Sequence, residues 1–557
     1  MRLLHRKQLI LVATVAVALS GCRKKSTDAT ADDAAAAGNP PGASSSVPAG
    51  VDTRAAPKSG PRFAVKGLFS VINDEPGPRG KKIGYLRLGA VVERSDEPSG
   101  KADCPGGWYG VKPRGFACLD KDSTLDPEDP VIKAVPKVVD LTRPMPYAYG
   151  FVRAVLPLYL KVPNKQEQDA SEFKLAEHLE WWAKDGLKAN TPTVLFANDV
   201  NVDPMGVPHD EVKPTKNAMQ MGQGELFGGS SDDDPIPWWL EGGRKIPNLA
   251  EFKVPDYAVF ADRARRHTGL SFVGSFPTGE DSYNRRFAIT WDMRLAPTSK
   301  VKPDGGSAFH GVAIGDTVKV PFAFVHDDGA KQYKIDGEKV RAYKKQLSVR
   351  AIVPLTGNKK TVDRRLYLET EDGKWVRAAQ VNAVLPPEPM PPQAKKGEKW
   401  IDISITEQTL VLWEGSTPVY ATVVSTGQDR LGDPKTTKST VRGTFRVQSK
   451  HVTTTMDSNE GMGGGKVRDA EYGKTRRRGE GTFQLQDVPW VQYFKGNYAL
   501  HGAYWHDVFG TPRSHGCVNL SPIDAHRVFF WTEPNLAQGW HGVYAKGEEG
   551  TVVIVRE

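Results

Sequence analysis

A chain of 557 residues, 39% hydrophobic and 25% charged, is ordinary for a globular protein and long enough for three or four domains of roughly 150 residues. The formal charge is +9, or +6 without residues 1–21, which hold Arg2, Arg6 and Lys7 and no acid; this suits an anionic polymer or a membrane surface. No dense Lys/Arg tract with interleaved aromatics occurs, which argues against a nucleic-acid partner.

The basic start is followed by Leu9 to Leu19, an apolar run interrupted only by Thr14. It is too short to span a bilayer and has the length of a signal-peptide core. The next residues, Leu19-Ser20-Gly21-Cys22, resemble the bacterial lipobox. The resemblance implies a signal peptide over 1–21, cleavage after Gly21 and a lipid on Cys22 that holds the protein at a membrane. The alternative is an uncleaved anchor with a chance cysteine. Arg23, in place of Asp, resembles the signal for outer-membrane sorting. The expected location is therefore the cell envelope, lipid-anchored at the outer membrane and facing the periplasm. Residues 23–60 are rich in Ala, Ser, Gly, Pro and Asp and poor in large apolar side chains. Such a stretch cannot bury enough surface to order itself, so 22–60 reads as a tether.

Residues 61–125 read as short strands, with Phe63–Val65, Ile83–Leu88 and Ala90–Val92 set between turn residues. Gly107–Val111 and Gly115–Cys118 suggest a closing hairpin. The segment resembles SH3-like barrels of bacterial envelope proteins, which implies either a wall-binding module or a spacer. Four cysteines are present: Cys22, Cys104, Cys118 and Cys517. Export favours a local disulfide between Cys104 and Cys118, against two buried thiols. Cys517 is then left alone, and an odd thiol in an exported protein calls for a reason such as catalysis.

Residues 126–385 form a mixed region to which the sequence assigns no function. Glu172 to Ala183 carries Phe173, Ala176, Leu179 and Trp182 at helical spacing and predicts one amphipathic helix. Asp232, Asp233 and Asp234 suggest a solvated loop, with a calcium site as the sharper alternative. Gly373–Arg377 reads as a strand. Five prolines within Pro386–Pro392 predict a stiff, exposed linker over 386–398, ahead of a last domain at 399–557.

That last domain opens as a β meander, with Trp400–Ile405, Gln408–Trp413 and Val419–Ser425 as strands. Tyr498-Ala499-Leu500 then leads into His501-Gly502, and Cys517 follows sixteen positions after His501, within Ser514-His515-Gly516-Cys517-Val518-Asn519. A cysteine attacks as its thiolate, which a nearby imidazole promotes. Gly516 allows positive φ and close backbone approach, and amides around Gly516 and Cys517 can face a developing oxyanion. Ser521-Pro522-Ile523-Asp524 reads as a helix start. Zinc ligation by His501, His506, Asp507, His515 and Cys517 is the chemical rival, but no standard zinc spacing is present, so no metal or cofactor is expected. His506, His526 and His541 are read as surface or strand residues.

These residues resemble the L,D-transpeptidase catalytic domain (YkuD) family over about 399–555. Its pattern is a His, a gap, then Ser/Thr-His-Gly-Cys-x-Asn or Arg. Asp402–Gly427, Asp487–Phe494 and Trp540–Val543 extend the likeness, while Thr440-Val441-Arg442-Gly443 lacks a proline common in the family. The resemblance implies a β-sandwich-like domain in a chain that is mainly β with some helices. It implies a cysteine acyltransferase that acts on peptidoglycan stem peptides through a thioester. Cys517 would be the nucleophile and His501 the proton acceptor, with the Gly502 carbonyl orienting the imidazole. Gly516 and Cys517 amides would form the oxyanion hole. Ser514 and His515 would shape the loop and bind substrate, Asn519 would hold the loop or touch substrate, and Tyr498 would support them. Carbapenem-type β-lactams are implied as inhibitors. Residues 451–480, with Arg476-Arg477-Arg478, read as a flap. A hydrolase using water as acceptor, or a non-catalytic wall-binding lipoprotein, remain the alternatives.

Overall fold

The computed structural model describes residues 60–135, 139–186, 196–200, 202–203, 236–243, 257–457 and 484–557. The signal peptide, Cys22, the tether, the acidic run Asp232–Asp234 and Arg476–Arg478 of the expected flap lie outside the described residues. Over the described residues the chain is mainly β with a few short helices.

The expected N-terminal strands form. Trp108–Gly110 and Phe116–Cys118 close a hairpin with Trp108 opposite Cys118, and the Cys104–Cys118 disulfide spans Cα atoms 5.8 Å apart. Their core of Phe63, Val65, Ile72, Leu86 and Tyr109 also takes in Trp540 and Val543 from the far end of the chain. The reason is a shared sheet: strand Lys82–Arg87 pairs antiparallel with strand Gly542–Tyr544, with Gly84 opposite Val543. Gly84 permits this approach, since a Cβ there would lie 2.3 Å from the Trp540 ring.

In the middle region the single helix expected over Glu172–Ala183 does not form. Helix Lys165–Ser171 ends before it, Lys174 is left-handed at φ 52°, and a second helix runs Leu175–Trp181. Phe173 is 84% exposed rather than packed. Glu172 decides the break. Its buried carboxylate is drawn inward to Arg285 at 2.6 Å and Lys300 at 2.7 Å, and accepts from Tyr159 Oη at 2.8 Å. Satisfying a buried charge outweighs local periodicity. Further on, seven strands between Phe322 and Val384 form their own sheet, and the strand expected at Gly373–Arg377 is Trp375–Arg377. The proline run is only partly exposed: Pro387 is buried, and Ala394 of the short helix Pro392–Lys395 packs into the core around Trp400 and Trp413.

The C-terminal domain has two sheets over one core. One holds Lys399–Ser404, Thr409–Glu414, Thr417–Val423, Gly443–Arg446 and Val552–Arg556, with Val312–Ala313 at its edge. The other holds Ser449–Asp457, Gln484–Lys495, Tyr498–Gly502, Val518–Leu520 and Gly542–Tyr544. Ile401, Ile403, Leu410 and Leu412 meet Trp490, Phe494, Leu500 and Val518 between them, and helix Pro522–Trp531 adds Val528 and Phe529. Ser521 caps that helix through the Asp524 amide, as its sequence suggested.

Candidate active site

Two adjacent parallel strands set the geometry. Tyr498–Gly502 pairs with Val518–Leu520, placing Leu500 opposite Val518 and His501 opposite Asn519. Cys517 directly precedes Val518 and so enters the strand next to the one that carries His501. Strand spacing and rise put their Cα atoms roughly 8 Å apart on the diagonal.

The loop before Cys517 is zipped to Ser425–Gln428. Ser425 and Asn519 exchange backbone hydrogen bonds of 2.9 Å, Ser514 N donates to Thr426 O at 3.0 Å, and Gln428 N donates to Ser514 O at 2.9 Å. Ser514 Oγ donates to the Cys517 carbonyl and accepts from Gly516 N at 3.1 Å. The Gly516 amide, expected to face an oxyanion, is thus engaged by Ser514 and serves the loop. Gly516 sits at φ +123°, where an added Cβ would stand 2.9 Å from the Tyr498 ring. Tyr498 Oη donates to Pro434 O at 3.2 Å, which ties the loop to segment 428–440.

His501 is 2% exposed, and its Nδ1 lies 3.2 Å from the Gly502 carbonyl. A carbonyl only accepts, so Nδ1 carries the proton and Nε2 keeps its lone pair. Burial pushes the imidazole down to about 4, opposed by that carbonyl. Burial also pushes the Cys517 thiol up to about 11, against the Ala499 backbone amide, which favours the thiolate. Cys517 Sγ lies 3.5 Å from Asn497 O, and the residue is partly exposed. At neutral pH the pair is therefore thiol and neutral imidazole.

The other expected residues divide by depth. His515 is exposed at the rim; burial lowers its pKa, with Lys438 acting in the same direction and Asp429 opposing. Asn519 is 4% exposed, with Nδ2 3.1 Å from His506 Nε2. Three histidines depart from the sequence reading. His506 is half-buried beside this site, its ring 4.7 Å from that of Phe509. His526 is fully buried on the helix, packed on Trp490 and 2.8 Å from Leu141 O. His541 is buried against Arg87 and Thr453. Only the proximity of His506 to His501 in sequence hinted at its place. Among the described residues no group of three or more His, Cys, Asp or Glu is placed to hold a metal ion.

Two sheets over one core thus bring a lone thiol and an oriented imidazole near the ends of neighbouring strands. Residues 398–555 match the family model of the L,D-transpeptidase catalytic domain, YkuD. Over 138 residues the chain is 30% identical to YciB of Bacillus subtilis, a protein provisionally named an L,D-transpeptidase; the match takes in 25% of this chain. The chain spans 63% of that relative's length, less than two thirds. A crystal structure of the L,D-transpeptidase from Xylanimonas cellulosilytica is similar at 21% identity and TM-score 0.20, covering 31% of this chain and 64% of that one. The L,D-transpeptidase from Mycobacterium smegmatis is similar at 20% identity and TM-score 0.20, over 42% and 79% of the two chains. The transpeptidase LdtMt1, solved with imipenem, is similar at 16% identity and TM-score 0.20, over 42% and 81%.

Proposed function

We propose that this domain is a peptidoglycan L,D-transpeptidase in which Cys517 is the nucleophile and His501 its proton acceptor. The observation that carries this reading is the parallel register of Tyr498–Gly502 with Val518–Leu520, joined to the Gly502 carbonyl that leaves His501 Nε2 basic. Because both groups rest neutral, the proton leaves sulfur as the bond to carbon forms. Cys517 Sγ attacks the carbonyl carbon of the L-centre of the third stem residue, and its proton passes to His501 Nε2. The oxyanion collapses, the bond to the terminal D-alanine breaks, and the departing amine takes the proton from His501. An amine of a second stem or of a protein then attacks the thioester and gives its proton to His501, which returns it to sulfur. With the Gly516 amide held by Ser514, the Cys517 amide is the loop's candidate donor to the oxyanion.

Intact-protein mass after incubation with tetrapeptide stems tests the reading. An acyl adduct on Cys517 with release of D-alanine is expected; no adduct and no D-alanine would overturn it. Product masses with and without a second stem then separate amine from water as acceptor. A carbapenem, whose strained lactam carbonyl is an acyl donor, is expected to add its full mass to Cys517 and none to C517A.

We place the protein on the outer membrane through a lipid on Cys22, facing the periplasm. The apolar run before Cys22 supports this, as does the Cys104–Cys118 disulfide, a bond that persists in oxidising compartments. Cys22→Ser is expected to move the protein from the membrane to the soluble fraction. The SH3-like segment acts as a positioning module, supported by the strand it shares with Gly542–Tyr544.

A further inference from the structure

His506 poses a conflict in hydrogen bonding. Its Nδ1 accepts from Val508 N at 3.4 Å, and its Nε2 lies 3.1 Å from Asn519 Nδ2. A backbone N–H can only donate, so Nδ1 is the acceptor, and a neutral imidazole then carries its proton on Nε2. Burial, aided by Arg513 and His501 and opposed by Asp507, pushes this imidazole down to about 4 and keeps it neutral. Two N–H groups would then face each other. At the other end of the same amide, Asn519 Oδ1 is buried with no hydrogen-bond partner among the described residues. Turning the amide by half a rotation removes the clash of donors and leaves, at the other end, an unpartnered donor in place of the unpartnered acceptor. The oxygen accepts from His506 Nε2–H, and the NH2 group takes the place of the unpartnered oxygen. The hydrogen-bond network is what decides between these two placements.

We infer that His506 is a positioning residue, which fixes the Asn519 amide so that its N–H group donates to the substrate carbonyl beside Cys517. The inference rests on the transpeptidase reading and adds to it the residue that orients a substrate donor. Asn519 lies two positions from Cys517 and directly opposite His501. A preset donor there acts where negative charge develops on the attacked carbonyl. The loop that holds His506 is itself fixed by residues before the catalytic domain. Asp507 accepts from Ser307 Oγ and Arg350, and the Gly510 carbonyl accepts from Asn382 Nδ2 at 3.0 Å.

The test compares Cys517 acylation by a tetrapeptide stem in full-length parent, His506→Gln, His506→Phe and Asn519→Ala. Gln can donate to the Asn519 oxygen; Phe fills the space against Phe509 but cannot. The expected result is that H506Q acylates within about threefold of parent, whereas H506F and N519A fall about 100-fold, the scale of losing one oxyanion donor. The loss should sit in the rate constant and not in KM. Thermal unfolding and iodoacetamide alkylation of Cys517 in H506F should match the parent, which separates positioning from folding. Should H506F acylate as fast as H506Q, or should both fall equally, the inference fails while the transpeptidase reading stands. Should the parent itself form no adduct, the transpeptidase reading fails and this inference with it.

Discussion

Burial moves Cys517 and His501 in opposite senses, the thiol up to about 11 and the imidazole down to about 4, so neither carries charge between those values. Direct alkylation needs thiolate, whose fraction falls about tenfold for each pH unit below the thiol pKa. The iodoacetamide rate of Cys517 is therefore expected to climb about tenfold per unit from pH 7 to 10. Stem acylation, with neutral His501 as the proposed proton acceptor, should stay level over that range and fall only as pH drops towards 4. An alkylation plateau reached by pH 7 would mean a preformed thiolate–imidazolium pair instead. Gly516 gives a second expectation at this scale. Gly516→Ala forces a Cβ towards the Tyr498 ring at a left-handed backbone position, so the loop must shift; acylation should fall at least about 100-fold while stability drops by about 1–3 kcal/mol. These residues were legible because their chemistry is carried by one short stretch and one histidine sixteen positions away. The His506–Asn519 contact was not, because strand register creates it. Nor was the engagement of the Gly516 amide by Ser514, which is a matter of loop conformation.

Helix Pro522–Trp531 follows the cysteine strand directly, so its ends fix the loop's exit. Ser521 holds the start, and buried Lys450 holds the end by donating to Phe529 O and, at 2.7 Å, to Thr532 O. Burial pushes Lys450 down to about 7, against about 10.4 for a free lysine. Between these values the unfolded chain binds more protons than the folded one, so stability rises with pH across that window. The slope from this one group is at most about 1.4 kcal/mol per pH unit. Urea unfolding at pH 7.5 and 9.5 should show the rise in the parent and a flatter profile in Lys450→Met. The helix start was readable because capping is local chemistry. The break at Glu172 was not, since Arg285 and Lys300, which draw its carboxylate inward, stand more than a hundred positions away.

Across the whole molecule, Arg87 joins three regions of the chain. From the N-terminal module it pairs with Asp487 at 2.7 Å, donates to Thr453 Oγ1 at 2.7 Å, and stacks 3.5 Å from the Trp291 ring of the middle region. Asp487 is further held by Ser271 Oγ, and its carbonyl accepts from Tyr149 Oη at 2.7 Å. Removing one member of a buried pair strands the other, typically at about 3–5 kcal/mol. Arg87→Ala should lose stability on that scale in denaturant unfolding, and Arg87→Leu combined with Asp487→Leu should lose less. The sequence separated these regions by composition, and the strands came out where turn residues bounded them. That the regions share sheets was not legible, because pairing between residues 84 and 543 leaves no local mark.

The shared strand has one more consequence. Gly542–Tyr544 is sealed on one side by Lys82–Arg87, and Trp540 is roofed by the same module. A catalytic fragment beginning at residue 399 would bare that backbone edge and the indole together, a sticky seam of the kind that templates self-association. Light scattering on such a fragment should report particles that grow with concentration, where the uncut protein stays at one size.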